Sequence, residues 1–184
     1  MMFVSLDLET TGFDSKKDKI IEFGAVKFDL SGNKETLKFF VNPGIPLPQI
    51  ITHITNITDK DLKSAPKFEE KMDEIKNFVG DLPIIGHNIK FDTGFLRENG
   101  MEINNPEYDT LEMASILVPY LPSYSLEILS HVLKLTHEEK HRALDDSIAA
   151  MELFLKLTET FQNLPEKLIE KIKNLVEKSA WPLQ

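Results

Sequence analysis

Cysteine is absent from the 184 residues of this chain. Its absence excludes disulfides, thiolate metal sites and a cysteine nucleophile, and it agrees with a reducing compartment. Any bound metal ion must therefore be held by oxygen or imidazole ligands. The sequence also lacks an apolar run long enough to cross a bilayer and a basic N-terminal segment followed by an apolar one. We therefore expect a cytoplasmic protein with no membrane partner.

Positive charge is also in short supply. The chain has 21 Lys and Arg residues against 30 Asp and Glu, which gives a formal net charge of −9. A protein that grips a long polyanion usually has a basic footprint, so side chains alone are not expected to bind a polyphosphate tightly. Bound cations with a small local basic patch, or a partner or attached domain that delivers the polyanion, would have to supply the attraction.

The remaining composition is that of a soluble globular domain, with 41% hydrophobic and 28% charged residues, and the length suits one domain. The predicted strands are 3–9, 20–28, 36–41, 83–86 and 108–110, and the second and third should form a hairpin. Helices are predicted at 50–54, 59–63, 68–79, 92–98, 125–133, 142–161 and 166–178, with one more ending near 119. Antiparallel strands followed by strands that alternate with helices favour a mixed α/β sheet flanked by helices.

Two acids lie close together at the end of the first predicted strand. Side chains on a strand alternate between its faces, so Asp7 and Glu9 project from the same side, about 6 to 7 Å apart along the chain. Like charges this close, on a strand fit for burial, cost free energy unless cations or hydrogen bonds compensate them. Oxygen ligands at this spacing suit Mg²⁺ or Mn²⁺. The alternative is an exposed sheet edge with two hydrated acids.

The same strand runs into Thr10, Thr11 and Gly12. Glycine lets the backbone approach a ligand closely, and the two hydroxyls could donate to a phosphate or to their own turn. A second candidate segment is 86–92, with the sequence GHNIKFD, where a strand gives way to a helix. Ligands of α/β sheets bind at such junctions. Asp92 lies where it could contact such a ligand. Alternatively, it is an ordinary acidic residue that interacts favourably with the helix dipole.

The third candidate segment is 141–146, with the sequence HRALDD, at the start of the longest predicted helix. At 100° per residue, Asp145 lines up with a polar stripe, whereas Asp146 lies within the apolar arc. A buried acid needs a partner, which a cation shared with the strand acids or a backbone amide would supply. His141 taken alone fits an ordinary surface histidine in the polar loop that begins at His137.

Together these segments resemble the DEDDh 3′→5′ exonucleases of the ribonuclease H-like superfamily, typified by the proofreading subunit of bacterial DNA polymerase III. The family's three motifs stand here complete and in order: Asp-x-Glu-Thr-Thr-Gly at 7–12, His-Asn-x-x-Phe-Asp at 87–92, and His followed by four residues and Asp at 141–146. The resemblance implies a ribonuclease H-like fold with a mixed five-stranded sheet, in which three antiparallel strands are followed by parallel ones, flanked by helices.

The resemblance also implies a site and a reaction. The reaction is hydrolysis of single-stranded DNA from its 3′ end to nucleoside 5′-monophosphates. The implied ligands of two Mg²⁺ or Mn²⁺ ions, ~4 Å apart, are Asp7, Glu9, Asp92 and Asp146. His141 is the implied general base for the attacking water, because imidazole suits proton transfer at neutral pH. The implied substrate-binding residues are Thr10, Thr11, Asn88, Phe91, Phe13 and Ile54.

Domain organisation and partners follow from the same resemblance. Residues 1–162 are expected to form the exonuclease domain, and 163–184 a C-terminal helix and tail that packs on it or links to a following domain. This end is similar to the exonuclease domain of DinG-type helicases. The expected partners are the 3′ end of single-stranded nucleic acid, DNA in preference, and a polymerase or helicase. The alternatives are an exonuclease for RNA or short oligonucleotides and a noncatalytic ribonuclease H-like interaction module.

Overall fold

A computed structural model describes residues 1–137 and 141–178, and for 175–178 the backbone alone. The tail 180–184, for which the sequence predicts packing or linkage, lies outside the described residues. No helix within the described ranges is both long and apolar enough to cross a membrane.

In the described part of the chain, five strands form one mixed sheet in the order β3-β2-β1-β4-β5. The strands are β1 (Met2–Thr10), β2 (Ile20–Asp29), β3 (Lys34–Phe40), β4 (Ile84–Gly86) and β5 (Glu107–Asp109). The first three pair antiparallel, and β4 pairs parallel with both β1 and β5. The predicted hairpin and the predicted mixed α/β sheet are therefore confirmed.

Eight helices lie in the same described ranges. They are α1 (Gln49–Thr55), α2 (Asp59–Leu62), α3 (Phe68–Val79), α4 (Lys90–Glu98), α5 (Thr110–Leu117), α6 (Leu126–Leu133), α7 (Ala143–Gln162) and α8 (Glu166–Lys178). Each predicted helix is present, with ends that differ from the prediction by no more than two residues. The predicted end of α3 at Gly80 is confirmed, and its φ of 54° is one that glycine adopts without steric cost.

The sheet separates two hydrophobic cores, because side chains alternate along β1. Val4 and Leu6 pack into the core that α3 and α4 cover. Phe3 projects from the opposite face and meets Phe154 of α7, with 5.2 Å between the ring centroids. The odd-numbered residues of β1, which include Asp7, therefore lie on the face that α7 crosses.

Candidate active site

The start of α7 lies against the two acids of β1. Ser5, on the same face of the strand, donates through Oγ to the backbone carbonyl of Ser147 at 2.8 Å, which joins the helix to the strand. Asp7 follows two residues later and lies opposite Gly24 of β2. Strand periodicity and this helix contact together direct Asp7 and Glu9 toward the first turn of α7.

The close approach of α7 depends on Gly24, a residue that was not predicted from the sequence. A Cβ at this position would overlap the backbone of Ala143 and Leu144, the first two residues of the helix. A glycine inside an otherwise apolar strand was the available signal, because such a glycine often marks a close approach of another backbone.

We expect Gly24→Ala to destabilise the chain by about 1–3 kcal/mol, because the added methyl group forces α7 away from β2. In a chain of this size that loss lowers Tm by about 2–4 °C per kcal/mol. Gly94→Ala is the matched control. Apart from the backbone of its own helix, no described atom lies within 4 Å of a Cβ added at this position, and alanine is favoured over glycine in a helix interior by about 0.5–1 kcal/mol. Thermal melts followed by circular dichroism measure both. Equal Tm values for Gly24→Ala and the wild type would show that the methyl group fits between β2 and α7.

Asp146 and His141, the two ends of the third motif, lie close to Glu9 of β1. Asp146 lies in the first turn of α7 and is 9% exposed, whereas its neighbour Asp145 is half-buried, in agreement with the helical-face prediction. One ligand atom each of Glu9, His141 and Asp146 lie within 4.8 Å of one another. These three side chains are therefore close enough to share one metal ion.

Asp92 reaches β1 from the opposite side. β4 pairs with β1 only at Val4 and Ser5, so the amide of Leu8 lies beyond the end of β4. Asp92, in the first turn of α4, accepts a hydrogen bond from this amide through Oδ1 at 2.9 Å. A buried carboxylate is thus fixed next to Asp7, and its charge is one of the causes that raise the pKa of Asp7.

A cavity of ≈ 230 Å³ opens over these residues. Asp7, His141 and Asp146 are in its lining. The other lining residues are His87, Ser125, Leu126, Glu127 and His137. Two hydrogen bonds fix the ring of His87 in the cavity wall: its Nε2 lies 2.8 Å from the carbonyl oxygen of Tyr124, and its Nδ1 lies 3.0 Å from Thr110 Oγ1.

Burial raises the pKa of all four acids. Burial, and then the charge of Asp92, raises the pKa of Asp7 well above its usual range. Burial and the charge of Asp146 raise the pKa of Glu9 to about 8. Burial also raises the pKa values of Asp92 and Asp146, although hydrogen bonds that these carboxylates accept act against it. A divalent cation would offset this repulsion, so a donor set of carboxylates and imidazole without thiolates fits Mg²⁺ or Mn²⁺.

Glu22 is a second residue of the site that was not predicted from the sequence. It lies opposite Glu9 in the β1–β2 pairing and is 2% exposed. Its carboxylate accepts hydrogen bonds from Arg142 Nη2 at 2.8 Å and from the amide of Ala143 at 3.2 Å. A carboxylate at the first amides of a helix is favourable, so Glu22 holds the start of α7 beside the site. The signal in the sequence was a lone acid within the apolar run of β2.

His137 corrects the interpretation of the loop before α7. The sequence pattern placed it with His141 in a polar surface loop. Instead, the side chain of His137 is 6% exposed and its Nε2 contacts Oδ1 of Asp146, whereas His141 is exposed. Both histidines therefore lie close to Asp146, and His137 is the buried one.

Phe13 and Phe91, two of the predicted substrate-binding residues, are brought together. Their ring centroids are 6.3 Å apart, and Phe13 is 87% exposed. Asn88 is exposed, with a φ of 65°, and its backbone N–H donates to Asp109 Oδ1 at 2.9 Å. Ile54 is exposed on α1. None of the six predicted substrate-binding residues is in the lining of the 230 Å³ cavity.

The hydroxyls of Thr10 and Thr11 hydrogen-bond within the turn that follows β1. Thr10 Oγ1 donates to the carbonyl oxygen of Gly12 at 2.6 Å, and Thr11 Oγ1 accepts from the amide of Lys19 at 2.9 Å. The sequence left two partners open for these hydroxyls, a phosphate or their own turn. In the structure they hydrogen-bond within the turn. Gly12 is approached by the carboxylate of Asp18, which occupies the space a Cβ would need.

Comparison with known proteins gives the family. The sequence profile of the RNase T exonuclease family matches residues 4–154. DNA polymerase III subunit epsilon of Aquifex aeolicus is 34% identical over 162 residues, which cover 85% of this chain and 80% of that subunit. A PolC-type DNA polymerase III of Clostridium perfringens is 36% identical over 181 residues, and the 3′-5′ exonuclease DinG of Bacillus subtilis is 32% identical over 179 residues. These matches cover 96% and 94% of this chain but only 12% of the polymerase and 19% of DinG.

Solved structures share the fold. Exonuclease X in complex with 5′ overhanging duplex DNA superimposes with a TM-score of 0.71 at 25% identity, over 86% of this chain and 92% of that one. Exonuclease I superimposes with a TM-score of 0.74 at 20% identity, over 94% of this chain and 43% of that one. The resemblance inferred from the three motifs is therefore confirmed, and the chain belongs to the RNase T exonuclease family.

Proposed function

We propose that this chain is a metal-dependent 3′→5′ exonuclease that shortens single-stranded DNA to nucleoside 5′-monophosphates. The observation that carries the proposal is the convergence of Glu9, His141 and Asp146 within 4.8 Å, beside a cavity that Asp7 also lines. Acids that are held together with raised pKa values are costly in a folded chain without cations, and such clusters are typical of functional sites. Hydrolysis of a phosphodiester is a reaction that this donor set can promote with divalent ions.

In this proposal Asp7, Glu9, Asp92 and Asp146 hold two Mg²⁺ or Mn²⁺ ions. When bound, the ions supply Lewis acidity and neutralise charge at the attacking and leaving oxygens of the phosphodiester. Asp92 contributes a carboxylate already fixed to β1 by its hydrogen bond with the Leu8 amide. The chain itself thus provides the placement of the acids and the cavity beside them.

His141 acts as the general base in this proposal. It lines the same cavity as Asp7 and Asp146, so its imidazole can reach a water that attacks a phosphodiester there. Its φ of 59° is uncommon for a residue with a side chain. Backbone conformations of this kind cluster at functional sites, where they aim a side chain that the surrounding fold holds in place.

DNA is the proposed polymer, because relatives include a DNA polymerase III subunit and a solved exonuclease bound to DNA. The PolC-type and DinG relatives support a role beside a polymerase or a helicase, in proofreading or another form of DNA processing in the cytoplasm. We assign the catalytic domain to residues 1–162, and we propose that 163–184 form an added helix and tail that packs on this domain or links it to a partner.

The test uses 5′-labelled single-stranded DNA and RNA of equal length, each incubated with the protein in Mn²⁺ or in EDTA. The expected result is a ladder of shortened DNA in Mn²⁺ and none in EDTA. If neither polymer shortens with Mn²⁺ present, the chain is a noncatalytic module and the proposal fails. If RNA shortens much faster, the proposed DNA preference is wrong. A label released at once as a mononucleotide would show attack from the 5′ end.

The loop between β1 and β2 carries a local basic patch. An acidic chain needs such a patch to attract a polyanion. Lys16, Lys17 and Lys19 are exposed on this loop, which begins where β1 ends at Thr10, the residue after Glu9. Lys17 pairs with Asp14 at 2.6 Å. Elsewhere in the same loop, the ring of Phe13 contacts that of Phe91, the residue before Asp92. The loop is therefore anchored beside the proposed catalytic residues, and we propose that its lysines contact the phosphates of the bound strand.

Replacing Lys16 and Lys19 by glutamine should weaken binding of a single-stranded oligonucleotide and make it less sensitive to salt. Each lysine that no longer neutralises a phosphate should reduce the slope of log affinity against log salt concentration by about 0.7. Fluorescence anisotropy in the Asp146→Asn background, where the strand is not consumed, measures the slope. Lys171→Gln with Lys173→Gln on α8 is the charge-matched control and should leave the slope at the parent value. Equal slopes for both pairs would place the strand elsewhere.

A further inference from the structure

His137 is a buried titratable side chain that the proposed reaction does not use. Its ring is enclosed near the start of α7, with 6% of the side chain exposed, and its Nε2 contacts Oδ1 of Asp146, whose own side chain is 12% exposed. The other ring nitrogen, Nδ1, is buried without a hydrogen-bond partner among the described residues. Within residues 1–137 and 141–178, the polar partner of this ring is thus the Asp146 carboxylate.

The direction of the hydrogen bond follows from the two groups. In the ionised form that binds a metal ion, the Asp146 carboxylate can only accept, so Nε2 then carries the hydrogen and donates it to Oδ1. A carboxylate has about four lone-pair sites on its two oxygens, so the bond from His137 and the one that Asp146 accepts from the backbone of His141 leave sites for a cation. The contact therefore fixes the orientation of Asp146 without using up its capacity as a ligand.

We propose that His137 is a positioning residue that holds the Asp146 carboxylate in the orientation required to bind a divalent cation. The inference rests on the proposed function, in which Asp146 is a metal ligand. Carboxylates that bind metal ions are usually held by hydrogen bonds from neighbouring groups, and loss of such a neighbour typically costs about 10–100-fold in metal affinity or activity. His137 differs in this from His141, which is exposed and stands at the cavity as the proposed base.

The experiment measures Mn²⁺ binding to the metal-stripped full chain by isothermal titration calorimetry, with no substrate present. His137→Ala should raise the Kd for Mn²⁺ by about 10–100-fold. His137→Gln, whose side-chain amide can donate to the same oxygen, should recover most of the affinity. His131→Ala, which removes an exposed histidine of α6, should bind as wild type does. Should the alanine variant not fold, His137→Met fills the space without a donor, and the same weakening is expected.

Each outcome bears on one of two claims. An unchanged Kd in His137→Ala overturns the inference, and so does a lower Kd, which would show that the histidine competes with the cation. A glutamine variant as weak as the alanine variant overturns it as well, because a donor would be present without effect. Failure of the wild type to bind Mn²⁺, or wild-type affinity in Asp146→Asn, overturns the metal site itself and the inference with it.

Discussion

Asp146→Asn is expected to slow the shortening of single-stranded DNA by about 10³-fold or more, whereas Asp145→Asn should stay within roughly 2-fold of the wild type. The two carboxylates are adjacent in sequence but differ in surroundings. Asp146 is buried and lies within 4.8 Å of Glu9 and His141, and Asp145 is half-buried on the neighbouring face of the helix. Losing one carboxylate of the metal set removes several kcal/mol of transition-state stabilisation, and about 1.4 kcal/mol corresponds to a tenfold change in rate.

Single-turnover rates on a 5′-labelled oligonucleotide, measured at saturating Mn²⁺, provide the comparison. Both variants keep the size of the side chain and lose one charge, so the pair separates position from charge. Circular dichroism melts in EDTA confirm that each variant is folded. Equal loss of rate in the two variants would contradict the helical-face prediction. Full activity in Asp146→Asn would remove Asp146 from the proposed metal set.

In metal-free buffer, Tm is expected to fall by about 4 °C or more between about pH 6.5 and pH 8. Burial and the charge of Asp146 raise the pKa of Glu9 from its ordinary 4.5 to about 8. In this window the unfolded chain has released the proton and the folded chain still holds it, so stability falls as pH rises toward 8. One such group contributes about 1.4 kcal/mol per pH unit. Burial lowers the pKa of His87, so this side chain makes stability rise with pH, mainly below its ordinary pKa of 6.5. The window from pH 6.5 to pH 8 lies above most of that range.

Glu9→Gln is the matched variant for this prediction, because it removes the ionisation and keeps the shape of the side chain. Its Tm should change less over the same window and should exceed the wild-type Tm at pH 8. Mn²⁺ at about 100 times its Kd at pH 8 should stabilise the wild type at that pH by about 2.7 kcal/mol. The same Mn²⁺ concentration should stabilise the chain less at pH 6.5, because the ion binds ionised acids and its Kd is higher where they are protonated. A wild-type Tm that does not change with pH in EDTA would contradict the burial of the acid cluster.

Local periodicity made several residues predictable. Strand alternation placed Asp7 and Glu9 on one face, and the helical repeat distinguished Asp146 from Asp145. These inferences need only the geometry of a single element, so they hold before the elements are assembled. The same is true of Gly80, because a helix end requires a backbone conformation that glycine adopts at no steric cost.

His137, Glu22 and Gly24 were not predictable in this way. Glu22 pairs with Arg142, 120 residues away in the chain, and Gly24 matters only because the backbone of α7 passes over it. The sequence pattern placed His137 in a polar surface loop, and its contact with Asp146 of α7 appears only in the folded chain. A glycine and a lone acid in an apolar strand indicate that another part of the chain packs closely there. They do not identify which part.

The sequence by itself determined the order of strands and helices, the acids of the candidate site and the family, because these depend on local backbone geometry and on motif spacing. The tertiary structure alone decided which elements meet. It placed α7 on the face of β1 that carries Asp7, engaged the hydroxyls of Thr10 and Thr11 in their own turn, and set a buried histidine against Asp146. Such contacts join residues far apart in the chain, and they are selected by close packing and by the need to satisfy buried polar groups across the whole fold.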